Sequence, residues 1–101
     1  MYLIQLLLPV RDNAGRPFPS ELFGAVRAVL TDRFGGLTAY ARSPAQGLWK
    51  SAEGTVRDDI VVVEVMAETL DRDWWRAYRA RLEQAFRQDT ILLRAQPAEL
   101  L

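Results

Sequence analysis

Hydrophobic and polar positions divide the chain into four segments typical of strands and two typical of helices. Residues 2–8 are apolar on both faces apart from Gln5. Residues 59–67 centre on a run of three valines, with Glu64 as the only charge in the middle of the segment. Strands that are apolar on both faces are typical of positions covered on both sides, so both are predicted as central strands. Two further strands are predicted at residues 37–42 and 90–95.

Apolar residues recur at helical spacing in the other two segments. Residues 20–34 form the first predicted helix, and Gly35 ends it as a left-handed C-cap residue. The second predicted helix has Asp71 as its N-cap and runs to about residue 88. We interpret its apolar side as core, because helical spacing of large aromatics is typical of core packing; its members are Trp74, Trp75, Tyr78, Leu82, Ala85 and Phe86.

Two connections carry turn signals and polar residues. Residues 9–19 read as a loop, and residues 51–54 as a turn between the two halves of a hairpin tip, 47–50 and 55–58. Residues 43–46 are predicted as a bulge or kink in the outgoing strand. Trp49 lies near this tip, where it is either an interface anchor, a pocket lid or locally packed.

The order of elements is β-α-β-β-α-β, which predicts one ferredoxin-like α+β domain over residues 1–101. Right-handed crossovers give a four-stranded antiparallel sheet of order 4-1-3-2, with both helices on one face. The loop at 9–19 and the hairpin tip then meet at the same edge of the sheet, where cleft mouths are commonly built.

The helix-free face, which we call the open face, is predicted to be largely apolar. Either Ile60, Val62 and Met66 or the alternate valines of the same strand point outward. A patch of that kind is unusual on a monomer. We therefore expect a homodimer, or an assembly of dimers, packed through the open face.

Composition narrows the range of functions. The chain has 13 basic and 13 acidic residues, so its formal net charge is zero, which argues against a general nucleic-acid binder. It contains no cysteine and no histidine, which excludes disulfides, thiolate chemistry and a histidine base. No spacing suggests a metal site, and we expect no cofactor. No apolar run approaches the length of about 20 residues that spans a bilayer, so the cytoplasm is the expected location and no membrane partner is expected.

A polar cluster on the open face is the best chemical candidate. Gln5 and Glu64 are assigned to this face because a polar group against a helix layer is costly unless it is paired. Glu64 is predicted to pair with Arg42 or to accept a hydrogen bond from Tyr40 on the neighbouring strand. A buried glutamate can act as a base, an arginine can bind a carboxylate and a tyrosine can donate a proton. The alternative is a polar network that fixes dimer register. The candidate ligand or cavity residues are Gln5, Tyr40, Arg42, Trp49 and Glu64.

Three stretches together carry a family resemblance: residues 12–18, residues 33–40 with Gly47-Leu48-Trp49, and residues 73–75 with Tyr78 and Leu82-Glu83. Over its whole length the chain resembles a family of small uncharacterised bacterial proteins with a ferredoxin-like fold. Its topology is similar to that of the dimeric α+β barrels, a class that includes cofactor-independent monooxygenases, lactone isomerases and haem-handling enzymes. The first resemblance implies no catalytic residues, and the second implies a dimer.

Two functional readings follow. The first is a non-catalytic domain that binds a small ligand or a partner. The second is a cofactor-independent enzyme, monooxygenase- or isomerase-like, that acts on a small organic substrate in a sheet-lined cavity. RNA binding is set aside, because the third strand lacks the basic and aromatic pattern of an RNA-recognition motif.

Overall fold

The computed structural model describes residues 1–42, 50–51, 54–55 and 60–101. Six strands and two helices follow one another along this part of the chain. They are β1 (Tyr2–Pro9), α1 (Ser20–Phe34), β2 (Thr38–Arg42), β3 (Lys50–Ser51), β4 (Gly54–Thr55), β5 (Ile60–Ala67), α2 (Arg72–Ala85) and β6 (Leu92–Pro97).

Four strands form the main sheet in the order β2-β5-β1-β6, and every neighbouring pair is antiparallel. This is the predicted order 4-1-3-2 read from the other edge, since β5 is the third long strand and β6 the fourth. The two apolar segments, β1 and β5, are indeed central. The predicted α+β class with two helices is therefore confirmed.

The short strands β3 and β4 pair antiparallel with each other, with Lys50 opposite Thr55 and Ser51 opposite Gly54. This pairing agrees with the predicted turn at 51–54. The predicted bulge at 43–46, Trp49 and the outer part of the tip lie outside the described residues.

Capping residues mark the end of α1 and the start of α2, and a change of backbone conformation marks the end of α2. Gly35 takes the left-handed conformation (φ 80°) after α1, and its N–H donates to the Thr31 carbonyl. At the start of α2 the Asp71 carboxylate accepts from the Trp74 N–H at 3.1 Å. The second helix ends at Ala85, earlier than predicted, because Arg87 adopts a positive φ of 51° that a helix cannot continue.

The core fills the space between the helices and one face of the sheet. On β1 the buried side chains Ile4, Leu6 and Leu8 point toward the helices. Gln5 lies between them in sequence, so it points the other way, as strand geometry requires. On β5 Val63 and Val65 belong to the same core, which leaves Glu64 on the open face. The predicted outward assignment of Gln5 and Glu64 is therefore correct.

Aromatic side chains pack both ends of this core. Phe86 is fully buried and meets Phe18 and Phe23 edge to face, with ring centroids 5.1 and 5.4 Å away. At the other end Trp75 stacks on Phe34 at 5.2 Å. The predicted apolar side of α2 thus packs in or against the core, except for Ala85, which is exposed. Arg33, the one charge within the apolar side of α1, lays its guanidinium over the Trp74 ring at 4.3 Å and stays partly exposed.

No helix in the described ranges is long and apolar enough to cross a membrane.

Candidate functional site

Four polar side chains lie side by side in one row across the open face. The register places Thr38 on β2 opposite Glu64 on β5, Glu64 opposite Gln5 on β1, and Gln5 opposite Arg94 on β6. We call these four residues the polar row. Above and below it the strands present apolar side chains, Leu3 and Leu7 on β1 and Val62 and Met66 on β5.

Hydrogen bonds connect three members of the polar row. Gln5 Nε2 donates to Glu64 Oε2 at 2.6 Å, and Arg94 Nε donates to Gln5 Oε1 at 2.7 Å. The Gln5 amide nitrogen therefore donates to the Glu64 carboxylate, and the amide oxygen accepts from the Arg94 guanidinium. These two bonds fix the orientation of the amide. A hydrogen bond to a charged group contributes about 1.5–3 kcal/mol, so this pairing offsets part of the cost of placing Glu64 on an apolar face.

Among the described residues Glu64 Oε1 has no hydrogen-bond partner, and neither do the terminal nitrogens of Arg94. Glu64 is half-buried and Arg94 is exposed. Within the described part of the chain, one carboxylate oxygen and one guanidinium edge therefore lie on the same face without a protein partner, connected through the Gln5 amide.

Tyr40 and Arg42, the predicted partners of Glu64, lie farther along β2 than Thr38, which is directly opposite Glu64. Tyr40 is opposite Val62, one same-face step from Glu64, which is within reach of a long side chain. Arg42 is opposite Ile60, two such steps away, or about 13 Å along the strand. The side chains of both residues and the whole of Trp49 lie outside the described residues. Gln5 and Glu64 are the two predicted site residues that the structure brings into contact.

Arg94 is the member that sequence reasoning missed. Its signal was present, since it is the only charge in the last predicted strand, as Glu64 is in the middle of the third. The predicted order 4-1-3-2 already places the last strand beside β1. Partners for the polar cluster were sought only on β2, because the register between β1 and β6 was not predicted.

A cleft of about 470 Å³ opens at the sheet edge where β1 ends and β5 begins. Its volume falls in the range of about 300–1,000 Å³ that is usual for small-molecule sites. Leu7 and Ile60, which both lie on the open face, form part of its wall. The remaining lining comes from the loop after β1 and the segment before β6, namely Pro9, Arg11, Asp12, Asn13, Gly15, Gln88, Thr90 and Ile91. Arg11, Asp12 and Asn13 of the predicted loop line this edge, while the meeting of this loop with the hairpin tip stays a prediction.

Asp12 organises the loop that borders the cleft. Its Oδ1 accepts from the backbone N–H groups of Ala14 and Arg16 at 2.9 and 2.8 Å. Gly15 closes the turn with a positive φ of 80° and donates to the Asp12 carbonyl. The bond from the Arg16 N–H is the main reason why the pKa of the Asp12 carboxyl lies below its ordinary value.

We expect the loop to loosen when Asp12 is protonated. A carboxyl with a lowered folded-state pKa contributes stability above its unfolded pKa, and this contribution is lost as the pH falls through the folded value, below about pH 4. Asp12→Ala should therefore flatten the acid limb of the stability curve, which is the fall of the unfolding free energy as the pH decreases. Urea unfolding at about pH 2 to 6 measures this limb. Glu21→Ala, an exposed acid on α1, is the control. Equal acid limbs in the wild type and Asp12→Ala would contradict this role.

No group of three or more carboxylates with metal-site geometry occurs among the described residues. The polar row itself offers one carboxylate beside an amide and a guanidinium, and a cation site would not include an arginine. The chemistry of this face is therefore that of a carboxylate base or counter-ion beside a carboxylate-binding arginine.

No family model and no curated protein matches the chain in sequence. The resemblance to a family of small uncharacterised bacterial proteins is thus not confirmed, although the small α+β fold is. Two solved structures are similar. One is a phage SAM lyase in complex with S-methyl-5'-thioadenosine, with a TM-score of 0.64 and 13% identity over 94% of this chain and 79% of that chain. The other is a phage SAM lyase in the apo state, with a TM-score of 0.59 and 13% identity over 94% and 78%.

This likeness shows a shared fold, and it corrects the first functional reading of the sequence. A non-catalytic partner- or ligand-binding domain was expected, but both similar structures are of an enzyme, one of them with a small molecule bound. That first prediction is wrong on this finding. The second reading, an enzyme acting on a small organic substrate, is the better supported.

Proposed function

We propose that this protein is a cofactor-independent lyase that cleaves a sulfonium substrate of the S-adenosylmethionine type. The observation that carries the proposal is the polar row: one carboxylate on an apolar sheet face, fixed by Gln5, in a fold shared with a SAM lyase. A sulfonium cation carries a positive charge on an otherwise apolar body. It therefore complements an apolar face with a single acid.

Such a substrate has a nucleoside half, for which the cleft is the proposed site, and an amino-acid half, for which the polar row is the proposed site. Leu7, in the cleft wall, is one same-face step from Gln5, or about 6.6 Å along β1. A nucleoside in the cleft would therefore place its 5' sulfur near the polar row. The terminal nitrogens of Arg94 are then the candidates for binding the carboxylate of the amino-acid half.

The proposed reaction breaks the bond between the sulfonium sulfur and the γ-carbon of the amino-acid half. Both electrons of that bond go to sulfur, which leaves as the neutral thioether S-methyl-5'-thioadenosine. As that bond breaks, either Glu64 removes a β-proton and the C–H electrons form the β,γ double bond, or a carboxylate oxygen of the same fragment displaces the sulfur from the γ-carbon and closes a lactone. Glu64 is a base in the first case and a counter-ion that positions the sulfonium in the second.

The experiment incubates the purified protein with S-adenosylmethionine and follows S-methyl-5'-thioadenosine by liquid chromatography. Release above the spontaneous rate supports the proposal, and the identity of the four-carbon product assigns the role of Glu64. Substrate deuterated at the β-carbon should slow the reaction only if Glu64 removes that proton. Absence of release above the spontaneous rate would overturn the lyase proposal.

We further propose that two copies pack open face to open face, in the cytoplasm. Leu3, Leu7, Ile60 and Met66 are only half-buried within one chain, and Leu92 is 50% exposed on the same face. A second sheet over this face would shield the polar row from bulk water and strengthen its electrostatics.

Leu92→Glu is expected to shift the protein from dimer to monomer, because it places an unpaired charge on the apolar face that forms the proposed interface. Leu92 is the suitable position because Val62 is only 2% exposed within the single chain, so a charge there would also damage the fold. Sedimentation velocity at micromolar concentration is the measurement, with Leu100→Glu, at a residue 71% exposed in the C-terminal segment after β6, as the control. A wild-type protein that sediments as a monomer would contradict the dimer.

A further inference from the structure

A second groove lies between α2 and the outer edge of the sheet, and Arg94 of the polar row also borders it. It has a volume of about 220 Å³, and β6 forms one wall with Leu93, Arg94 and Ala95. Its floor is apolar and consists of Ile4, Leu70 and Trp75. The opposite wall is a stripe of three arginines on α2, Arg72, Arg76 and Arg79.

The arginine stripe is poorly explained by the stability of its own helix. Positions 72, 76 and 79 are spaced four and three apart, so they follow one face of α2. Two of them lie in the first turns, where a positive charge opposes the helix dipole, and the last turn carries no basic residue. Within the described part of the chain the stripe makes one ion pair, between Arg76 and Asp73 at 3.6 Å, and both side chains are largely exposed. A net positive charge therefore faces the groove.

The β6 wall of the groove is a sheet edge. In the described sheet β6 pairs only with β1, so its outer N–H and C=O groups are open to another strand. Pairing β6 with the β6 of a second copy would bring two arginine stripes together, and like charges disfavour that contact. A nucleic acid would use the charges but not the strand edge or the apolar floor. An extended acidic peptide would use all three.

We propose that this groove binds an extended acidic segment of a partner protein, which adds to β6 as a fifth strand of the main sheet. The spacing fits this mode of binding. Arg72 and Arg79 are about 10.5 Å apart along the helix axis. In a strand, positions i and i+4 share a face and lie about 13 Å apart. Acids at those two positions meet the arginine stripe, and an apolar residue at i+2 enters the floor over Leu70 and Trp75.

The test titrates the full chain into a fluorescein-labelled peptide of sequence Thr-Glu-Thr-Leu-Thr-Glu-Thr and follows anisotropy. Saturable binding is expected, weakening with added salt. Arg76→Glu should weaken it by about tenfold, because one attractive contact becomes repulsive. Arg81→Glu, on the same helix but outside the groove, should leave it unchanged within about twofold.

Two control peptides separate strand addition from simple charge attraction. A peptide with lysine in place of glutamate should not bind. A peptide with N-methylated amides at alternate positions keeps its charge but cannot complete the strand pairing, so it should bind at least about tenfold more weakly. The proposal is overturned if the wild type shows no saturable binding, if Arg76→Glu and Arg81→Glu weaken it equally, or if the N-methylated peptide binds as well as the parent.

Discussion

Replacing Glu64 with glutamine is expected to reduce the release of S-methyl-5'-thioadenosine from S-adenosylmethionine by at least about 100-fold. The variant keeps the shape of the side chain and an oxygen that can accept from Gln5 Nε2, so the hydrogen bond across β1 and β5 is retained. What it loses is the negative charge, on which both proposed roles of Glu64 depend. The unfolding free energy should change by no more than about 1 kcal/mol, since the bond is kept in a neutral form.

The matched control is Glu68→Gln, because Glu68 is an exposed acid just after β5 and outside the polar row. It should leave both turnover and stability unchanged. Gln5→Ala adds a second test of the geometry, since it removes the group that fixes the Glu64 carboxylate while leaving its charge. We expect that variant to lose turnover less than Glu64→Gln does. If Glu64→Gln keeps full turnover and loses stability, the polar row is structural and has no catalytic role.

Phe86→Ala is expected to destabilise the protein by about 3–5 kcal/mol, the usual cost of removing a buried aromatic ring. Phe86 has no exposed surface, and it closes the end of the core where α2 meets Phe18 and Phe23. Its removal leaves a cavity that is lined by the rings of Phe18 and Phe23. For a domain of this size each kcal/mol lowers the midpoint of thermal unfolding by roughly 4–8 °C, so a fall of about 15 °C or more is expected.

Phe86→Leu separates the contribution of the ring contacts from that of volume. Leucine fills part of the space but cannot make the edge-to-face contacts, which are worth about 0.5–1.5 kcal/mol each. Its cost should therefore lie well below that of the alanine variant. Circular dichroism during thermal and urea unfolding measures both variants. A cost below about 1 kcal/mol for Phe86→Ala would mean that this end of the core collapses without a cavity.

The candidate site was predictable in part, because the alternation of side chains along a strand indicates which sheet face a residue occupies but not which residue lies opposite it. The alternation along β1 and β5 assigned Gln5 and Glu64 to the open face, because a strand turns successive side chains to opposite sides. Alternation does not say which residue stands opposite which, because register depends on the turns and on packing between strands. Arg42 or Tyr40 was therefore predicted as the partner of Glu64, whereas the register puts Thr38 opposite it and hydrogen bonds connect it through Gln5 to Arg94.

The cleft and the arginine groove show a further limit. Both are built from segments distant in sequence: the cleft from β1, the loop after it, the start of β5 and the segment before β6, and the groove chiefly from α2 and β6. Arg72, Arg76 and Arg79 do not by themselves indicate a partner, since a chain of zero net charge gives no reason to expect one. The neighbouring strand edge and the apolar floor are what make this helix face the proposed binding surface.

The sequence by itself determined the order of elements, both helix starts, the central position of β1 and β5, and the face that Gln5 and Glu64 occupy. Each follows from short-range chemistry: capping residues, glycine at a positive φ, and the two- and 3.6-residue periods of strands and helices. The tertiary structure decided the strand register, the end of α2, the contact between Gln5 and Arg94, and the two cavities. These depend on how separate elements pack together, and no local pattern fixes that, because the energies come from contacts between residues far apart in the chain.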